Sequence, residues 1–298
     1  MKRVLIIGGS SFVAKHLTKQ LGEEYAIQLV SRSSTSYADE ILITDFFSLS
    51  TNHLHGIDIV INCAAIVHQP KVTEERIYNR INYELPVYIA SKAKESGVKQ
   101  FLQLSTVAVY GSTNLITDTT KENPTNPYGT SKLLADRALM QLATEHFTVI
   151  CVRPPMIYGG GNAPGNMMRL IELVSKNFPL PFGNAPLKRD FIYIDTLIRY
   201  CAKTLIQNDS GIFLVKDSFS VTTTELVRVI AAKLGVKSRL FSVPNFLLKL
   251  LKKLKPSIFE KLFGQLLITT KFEDTSLSSS SDLEKGIEEM VDYFRSLN

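Results

Sequence analysis

The sequence predicts an α/β protein: a doubly wound parallel sheet over residues 1–155, followed by a smaller second α/β domain over 156–298. Three observations predict it. Short β-branched runs alternate with helical patterns through the first half of the chain. The first run leads straight into a glycine pair, and the texture changes after Pro154-Pro155. Buried apolar strands separated by helices are the mark of βαβ units, whose sheet is covered on both faces.

The elements follow in order. RVLII (3–7) reads as a buried strand, 10–21 as a helix, and AIQLV (26–30), EILI (40–43) and IDIVIN (57–62) as further strands. A long helix is expected over roughly 74–96, then strand FLQLS (101–105), a helix over 129–146 and strand FTVICVR (147–153). Beyond Pro155, glycines and prolines cluster at 159–165 and 179–186, and Thr222-Thr-Thr-Glu225 is a capping-box pattern that opens a helix. Segments of this second part are expected to return to the main sheet.

The chain of 298 residues is 45% hydrophobic and 21% charged, enough apolar material for a real core. No apolar run approaches the ~20 residues needed to span a bilayer. The run after Met-Lys-Arg stops at Gly8-Gly9, too short for a signal-peptide core. Cys63, Cys151 and Cys201 are widely separated and lack metal or redox spacing, which points to buried thiols in a reducing, cytoplasmic setting. His53-x-His55 has no third ligand nearby, so no metal site is expected. The net charge of +6 is uneven: residues 225–271 carry ten Lys/Arg against Glu225 and Glu260, and 272–298 carry seven acids against Lys285 and Arg295. This reads as a solvated face balanced by an acidic tail, with no nucleic-acid partner. The segment 245–263 (NFLLKLLKKLKPSIFEKLF) is basic and amphipathic, which raises a weak peripheral membrane contact against the break at Pro256.

The first strand runs into Gly8-Gly9-Ser10-Ser11-Phe12-Val13-Ala14 and then a helix. A strand, a tight glycine turn and a helix N-terminus form a dinucleotide pyrophosphate site, because free N–H groups and the helix dipole meet the anion there. Ser11 and Ala14 stand where a glycine-rich fingerprint would repeat its glycine, and the Ser11 hydroxyl could donate to a phosphate. At the end of the second strand the chain reads Val30-Ser31-Arg32-Ser33-Ser34, with no acid before Asp39. A carboxylate there would bind the ribose of NAD; Arg32 with serine hydroxyls suits a 2′-phosphate instead, so NADP(H) is expected over NAD(H).

Two Tyr-x-x-x-Lys pairs are present, Tyr88–Lys92 and Tyr128–Lys132. Tyr88 lies inside the predicted 74–96 helix, whereas Tyr128 follows Asn126-Pro127 and opens one. Spacing of four puts Tyr128 and Lys132 on one helical face. Strand FLQLS ends beside Thr106, where ligands of a parallel sheet bind. A free Tyr, with a pKa near ~10, exchanges protons poorly at neutrality, and a neighbouring ammonium would stabilise its phenolate. Tyr128–Lys132 is therefore the expected working pair, with Thr106 holding the oxygen that is oxidised or reduced.

The ordered set GGSSFVA, NCAA (62–65), STVAVYG (105–111), NPYGTSK and RPPMIYG (153–159) resembles the extended short-chain dehydrogenase/reductase family, over nearly the whole chain. Its sugar-nucleotide epimerase, dehydratase and ketoreductase group is the most similar, with the Rossmann-type fold. The resemblance implies that Thr106, Tyr128 and Lys132 are catalytic, and that Gly8, Ser10, Ser11, Phe12, Val13, Ser31 and Arg32 contact the cofactor. By the same resemblance Asp45 and Phe46 would flank the adenine, and Ala64, Ala65, Val67, Pro154 and Ile157 would line the cofactor cleft. Arg189 and Asn166 would meet the diphosphate of a UDP-sugar in the second domain, with His68 and Lys261 as further substrate contacts. A homodimer through the 74–96 and 129–146 helices is the family-based expectation.

Departures from the family pattern narrow the reaction. The dehydratases carry an Asp-Glu pair after the catalytic Thr, where this chain has Val107-Ala108. The epimerases usually have an acid at the end of the second strand and often Asn where this chain has Met156. The stretch from RPPMIYG to FPLPFGN is similar to reductases of UDP-4-keto-6-deoxy-N-acetylhexosamines, which make precursors such as UDP-N-acetylquinovosamine for surface polysaccharides. An NADPH-dependent 4-ketoreductase is the first expectation, a UDP-hexose or UDP-N-acetylhexosamine 4-epimerase the second, and a non-catalytic NADP-sensing regulator the third.

Overall fold

The computed structural model describes residues 1–67, 74–255, 259 and 263–298. In chain order its strands are β1 (Arg3–Ile7), β2 (Ala26–Ser31), β3 (Glu40–Leu42), β4 (Ile59–Asn62), β5 (Gln100–Leu104), β6 (Leu115–Thr117), β7 (Thr148–Arg153), β8 (Met156–Tyr158), β9 (Lys188–Tyr193), β10 (Gly211–Leu214), β11 (Ser220–Thr222) and β12 (Leu267–Thr269). The helices are α1 (Phe12–Leu21), α2 (Glu75–Asn79), α3 (Leu85–Glu95), α4 (Pro127–Met140), α5 (Met167–Ser175), α6 (Ile194–Gln207), α7 (Thr223–Leu234), α8 (Asn245–Leu254) and α9 (Ser281–Ser296).

Seven of the strands form one parallel sheet in the order β3-β2-β1-β4-β5-β7-β10. The β-branched runs are buried along their length, as a sheet covered on both faces requires. On one face Leu5, Ile7, Val60, Phe101 and Val149 join Ile89 and Ala93 of α3 and Ala135 and Leu139 of α4 in a single core. The chain winds outward from β1 in both directions. The strand order therefore reverses between β1 and β4, where Ile7 pairs with Asn62, and such a switch point is where ligands enter an open α/β sheet.

The chain divides into two compact units. The first holds Met1–Gly111, Lys121–Pro154 and Ile198–Leu214; the second holds Ser112–Thr120, Pro155–Leu197 and Val215–Asn298. Pro154-Pro155 is thus one crossing among several: 198–214 supplies β10 to the main sheet, while 112–120 supplies β6 to the second unit. The second unit contains a three-stranded sheet, β11-β9-β8, and the parallel pair β12-β6. Its α7 opens with the predicted capping box: the Thr222 hydroxyl accepts from the Glu225 N–H at 3.1 Å, and the Glu225 carboxylate accepts from the Thr222 N–H at 2.8 Å.

Two predicted helices differ in detail. The 74–96 helix is broken into α2 and α3 by a π-turn over Arg80–Glu84. The 129–146 helix starts earlier, because Asn126 caps it and Pro127 fits its first turn. It ends at Met140, and a tight bridge between Thr144 and Phe147 then leads into β7.

Candidate active site

The turn after β1 is pinned from both sides. The N–H groups of Gly8 and Gly9 donate to the Val30 carbonyl at 2.9 and 3.1 Å. Gly8 has φ +80°, and a Cβ there would lie 2.8 Å from the Ala64 nitrogen, so only glycine lets β1 and β4 come this close. Ser11 caps α1, its hydroxyl oxygen accepting from the Ala14 N–H at 3.3 Å. That is the reason for serine rather than glycine at this point. The hydroxyl keeps its own proton for donation, and the N–H groups of Phe12 and Val13 have no acceptor within the helix. Ser10 is exposed beside them. The turn fits a dinucleotide pyrophosphate: unshared first-turn donors, the positive end of α1 and a switch-point position.

At the end of β2, Ser31 is buried and Arg32 is exposed, its guanidinium 5.7 Å from the centre of the Phe46 ring. The next two acids along the chain are engaged elsewhere. Asp39 accepts from the Gln28 side-chain amide at 2.7 Å, three residues back along β2. Glu40 accepts from the Thr35 N–H and hydroxyl at 3.0 and 2.7 Å, and the Thr35 hydroxyl is the first cause holding its carboxyl below the usual range. Asp45 caps the short 3-10 turn over Phe46–Ser48 and pairs with Arg80 at 3.6 Å. Arg32 forms no ion pair among the described residues.

Thr106, Tyr128 and Lys132 come together at the carboxyl end of β5. Thr106 caps the 3-10 turn Val107–Tyr110 by accepting from the Ala108 N–H at 3.1 Å. The Val107 N–H donates to the Pro154 carbonyl at 3.1 Å, which ties this turn to the end of β7. α4 then approaches closely: a Cβ on Gly129 would lie 2.6 Å from the Ala108 carbonyl oxygen. This contact sets the partly buried Tyr128 ring near Thr106. Burial pushes the Tyr128 phenol up to about 12, and the Thr106 hydroxyl opposes it. Lys132, fully buried one turn along, donates to the Leu104 carbonyl at 2.6 Å. Burial brings its ammonium down to about 8, against the neighbouring Asp136 charge. The side chains alone therefore do not lower the Tyr128 pKa, because Lys132 is directed at a backbone carbonyl and burial outweighs the remaining causes.

Three residues that sequence reasoning passed over complete this region. Asn82, in the π-turn, accepts from the Ile66 N–H at 2.8 Å and donates to the Ile66 carbonyl and the Ser131 hydroxyl. It fixes the segment after β4 next to Lys132's neighbour. Asp136, one turn beyond Lys132, accepts from the Ser105 hydroxyl at 2.7 Å and from Arg153 Nε at 2.9 Å. Arg153 also donates to Tyr110 at 2.7 Å and Glu122 at 3.1 Å. The Lys-x-x-x-Asp spacing after Tyr128 was the available signal for Asp136; nothing local marks Asn82.

The other predicted residues fall as follows. Ala64 is buried beside Gly8, and Ala65 and Val67 are exposed. Ile157 lies on β8 in the second unit. There Asn166 precedes α5 without a side-chain cap bond, and Arg189 is half-buried on β9, paired with Val221 and bridged to Leu266. His68 and Lys261 lie outside the described residues. Tyr88 is spoken for by the Leu49 carbonyl at 2.8 Å, and Lys92 by Glu95 at 2.7 Å. His53 accepts the Ser50 N–H at 3.0 Å, and no three His, Cys, Asp or Glu residues are grouped to hold a metal among the described residues.

A UDP-glucose 4-epimerase of Vibrio cholerae is 30% identical over an alignment covering 100% of this chain and 97% of that protein. The fold is shared with UDP-glucuronic acid 4-epimerase from Bacillus cereus, solved with NAD, at TM-score 0.78 and 20% identity over 99% of both chains. It is also shared with RMD from Pseudomonas aeruginosa, solved with NADPH, at TM-score 0.74 and 19% identity over 99% of this chain and 100% of that one. The profile of the NAD dependent epimerase/dehydratase family matches residues 4–215, from β1 to just past β10. With the glycine turn at the switch point and the Tyr-x-x-x-Lys pair both inside that span, the chain belongs to the NAD-dependent epimerase/dehydratase family.

Proposed function

We propose that this protein is a UDP-sugar 4-epimerase, which oxidises carbon 4 of the nucleotide-bound sugar and reduces it again on the opposite face. The observation that carries the reading is Tyr128 in the first turn of α4, near Thr106 at the carboxyl end of β5, with Lys132 buried one turn along. The 30%-identical relative, similar over its full length, bears the same activity in its name and reverses the order expected from sequence, where a ketoreductase came first.

The Gly8–Val13 turn would hold a nicotinamide dinucleotide, which when bound would supply hydride acceptance and return. The chain's residues manage the oxygen. Thr106 positions the carbon-4 hydroxyl, and Tyr128 takes its proton as the carbon is oxidised and gives it back as the carbonyl is reduced. Lys132, on the same helical face and bonded to the Leu104 carbonyl, would supply positive charge to the phenolate form of Tyr128 on turning toward it. Val107 and Ala108 carry no proton-transfer group, which argues against elimination of water after oxidation.

Arg32 favours a second reading, NADPH-dependent reduction of a UDP-4-keto-6-deoxy-N-acetylhexosamine. The next two acids in the chain, Asp39 and Glu40, are tied to Gln28 and Thr35, and Asp45 pairs with Arg80. One experiment separates the two. UDP-glucose or UDP-N-acetylglucosamine is incubated without reductant and the product is examined by NMR; in parallel, nicotinamide absorbance is followed with the 4-keto sugar and NADPH or NADH. Formation of the galacto epimer establishes the epimerase. NADPH consumption without epimer formation establishes the reductase, and neither outcome would overturn both readings.

A further inference from the structure

Helix α8 (Asn245–Leu254) carries two kinds of apolar residue. Leu248 and Leu251 are partly buried, and Leu248 lines a cavity of about 700 Å³ with Leu187, Phe259 and Phe263, all in the second unit. Phe246, Leu247, Leu250 and Leu254 instead face outward, exposed by 69%, 43%, 48% and 68%. At 3.6 residues per turn, 246, 250 and 254 form one row along the helix, with 247 beside it. Lys249 and Lys253 make the adjacent row, Lys252 and Lys255 are also exposed, and residues 246–255 contain no acid.

A contiguous exposed apolar row on a folded unit marks an interaction surface. Here charge selects the partner. We propose that α8 seats this protein on an anionic lipid surface, with the Phe246–Leu250–Leu254 row at the acyl boundary and the lysines among the phosphates. A short amphipathic helix with apolar and lysine-rich faces is the form that lies in a bilayer interface. At ten residues, roughly 15 Å, it cannot cross one. A second copy of the chain fits less well, since a symmetric contact on this row brings the lysine rows of both helices together. Nucleic acid would meet the lysines but leave the leucine row uncovered. The inference is independent of the reaction the enzyme performs.

The test is cosedimentation of the full-length protein with vesicles of phosphatidylcholine alone or mixed with phosphatidylglycerol. Wild type is expected in the pellet with the anionic vesicles and in the supernatant with neutral ones, and added salt should release it. A lysine close to an anionic surface is worth roughly fivefold in partitioning, so Lys249→Gln/Lys252→Gln/Lys253→Gln should weaken binding about a hundredfold. Phe246→Ser/Leu250→Ser/Leu254→Ser should abolish it with the melting temperature preserved, since all three side chains face outward. Failure of the wild type to sediment with anionic vesicles overturns the proposal, as does binding unchanged in both triple variants. Self-association in sedimentation velocity that the serine variant removes, without vesicle binding, would assign the row to a second copy and likewise overturn it.

Discussion

Asp136 in the first unit and Asp217 in the second are both fully buried carboxylates, and the two units settle their charge differently. Asp136 has a guanidinium at 2.9 Å and lies one turn from the Lys132 ammonium. Burial pushes its carboxyl up, and Arg153 pulls the other way. The carboxyl group of Asp217 is met by neutral donors, the Tyr158 hydroxyl at 2.8 Å and the Tyr193 N–H at 3.1 Å. The adjacent Lys216 ammonium donates to the Asp217 backbone carbonyl and to Glu273. Burial then pushes the Asp217 carboxyl up to about 6. The difference teaches where the molecule keeps charge indoors: the region around Tyr128 and Lys132 is built to hold ions, whereas the buried acid of the second unit is built to take up a proton.

The largest way to sharpen this comparison is chemical. Tyr128→Phe should lower turnover by about 10²–10⁴-fold while cofactor binding, read by fluorescence titration, is retained. Full activity in that variant would remove the first region's catalytic role.

Next comes Arg153→Met, which strands Asp136 without its counter-ion. Breaking a buried pair from one side costs about 3–5 kcal/mol, to be read from urea unfolding. A loss below about 1 kcal/mol would mean that Asp136 does not depend on Arg153 for its charge.

Gly129→Ala tests how the first region is held together. The added Cβ must push against the Ala108 carbonyl, so α4 shifts from the Thr106 turn. Overpacking of this kind costs about 1–3 kcal/mol, and activity should fall further than a single lost contact explains.

The second region should answer to pH. Between the unfolded carboxyl value near 3.8 and the folded value of about 6, native Asp217 holds a proton that the unfolded chain has released. Its contribution to stability is therefore greatest below that window and is lost as pH rises through it, by roughly 1–3 kcal/mol in total. Asp217→Asn should flatten the slope of unfolding free energy against pH over this range; an unchanged slope would sink the assignment. The smallest expected effect is on cofactor choice: Arg32→Ser should reduce any preference for NADPH over NADH by about tenfold, the worth of one charge-assisted hydrogen bond.

Much of this was legible beforehand, for local reasons. The β-branched runs 3–7, 26–30, 147–153 and their neighbours are strands because their pattern suits a sheet buried on both faces, and six of the predicted runs lie in the main parallel sheet. The Thr222–Glu225 box and the Asn126-Pro127 helix start are capping chemistry, written within four residues. The place of Tyr128 at a helix start, against that of Tyr88 inside a helix, was legible for the same reason.

What the chain could not announce depends on distant residues meeting. Sequence alone determined the sheet, its glycine turn and the Tyr-x-x-x-Lys face, because helix and strand periodicity and turn chemistry act over a few neighbours. Only the tertiary structure decided that Ser11 is a cap, that Glu40 is held by Thr35, and that Asn82 joins Ile66 to Ser131, which lies 49 residues beyond it. It also decided the charge around Lys132. For Lys132 the first cause is burial, which the tertiary packing of α4 supplies, and the Asp136 charge one turn along the same helix opposes it.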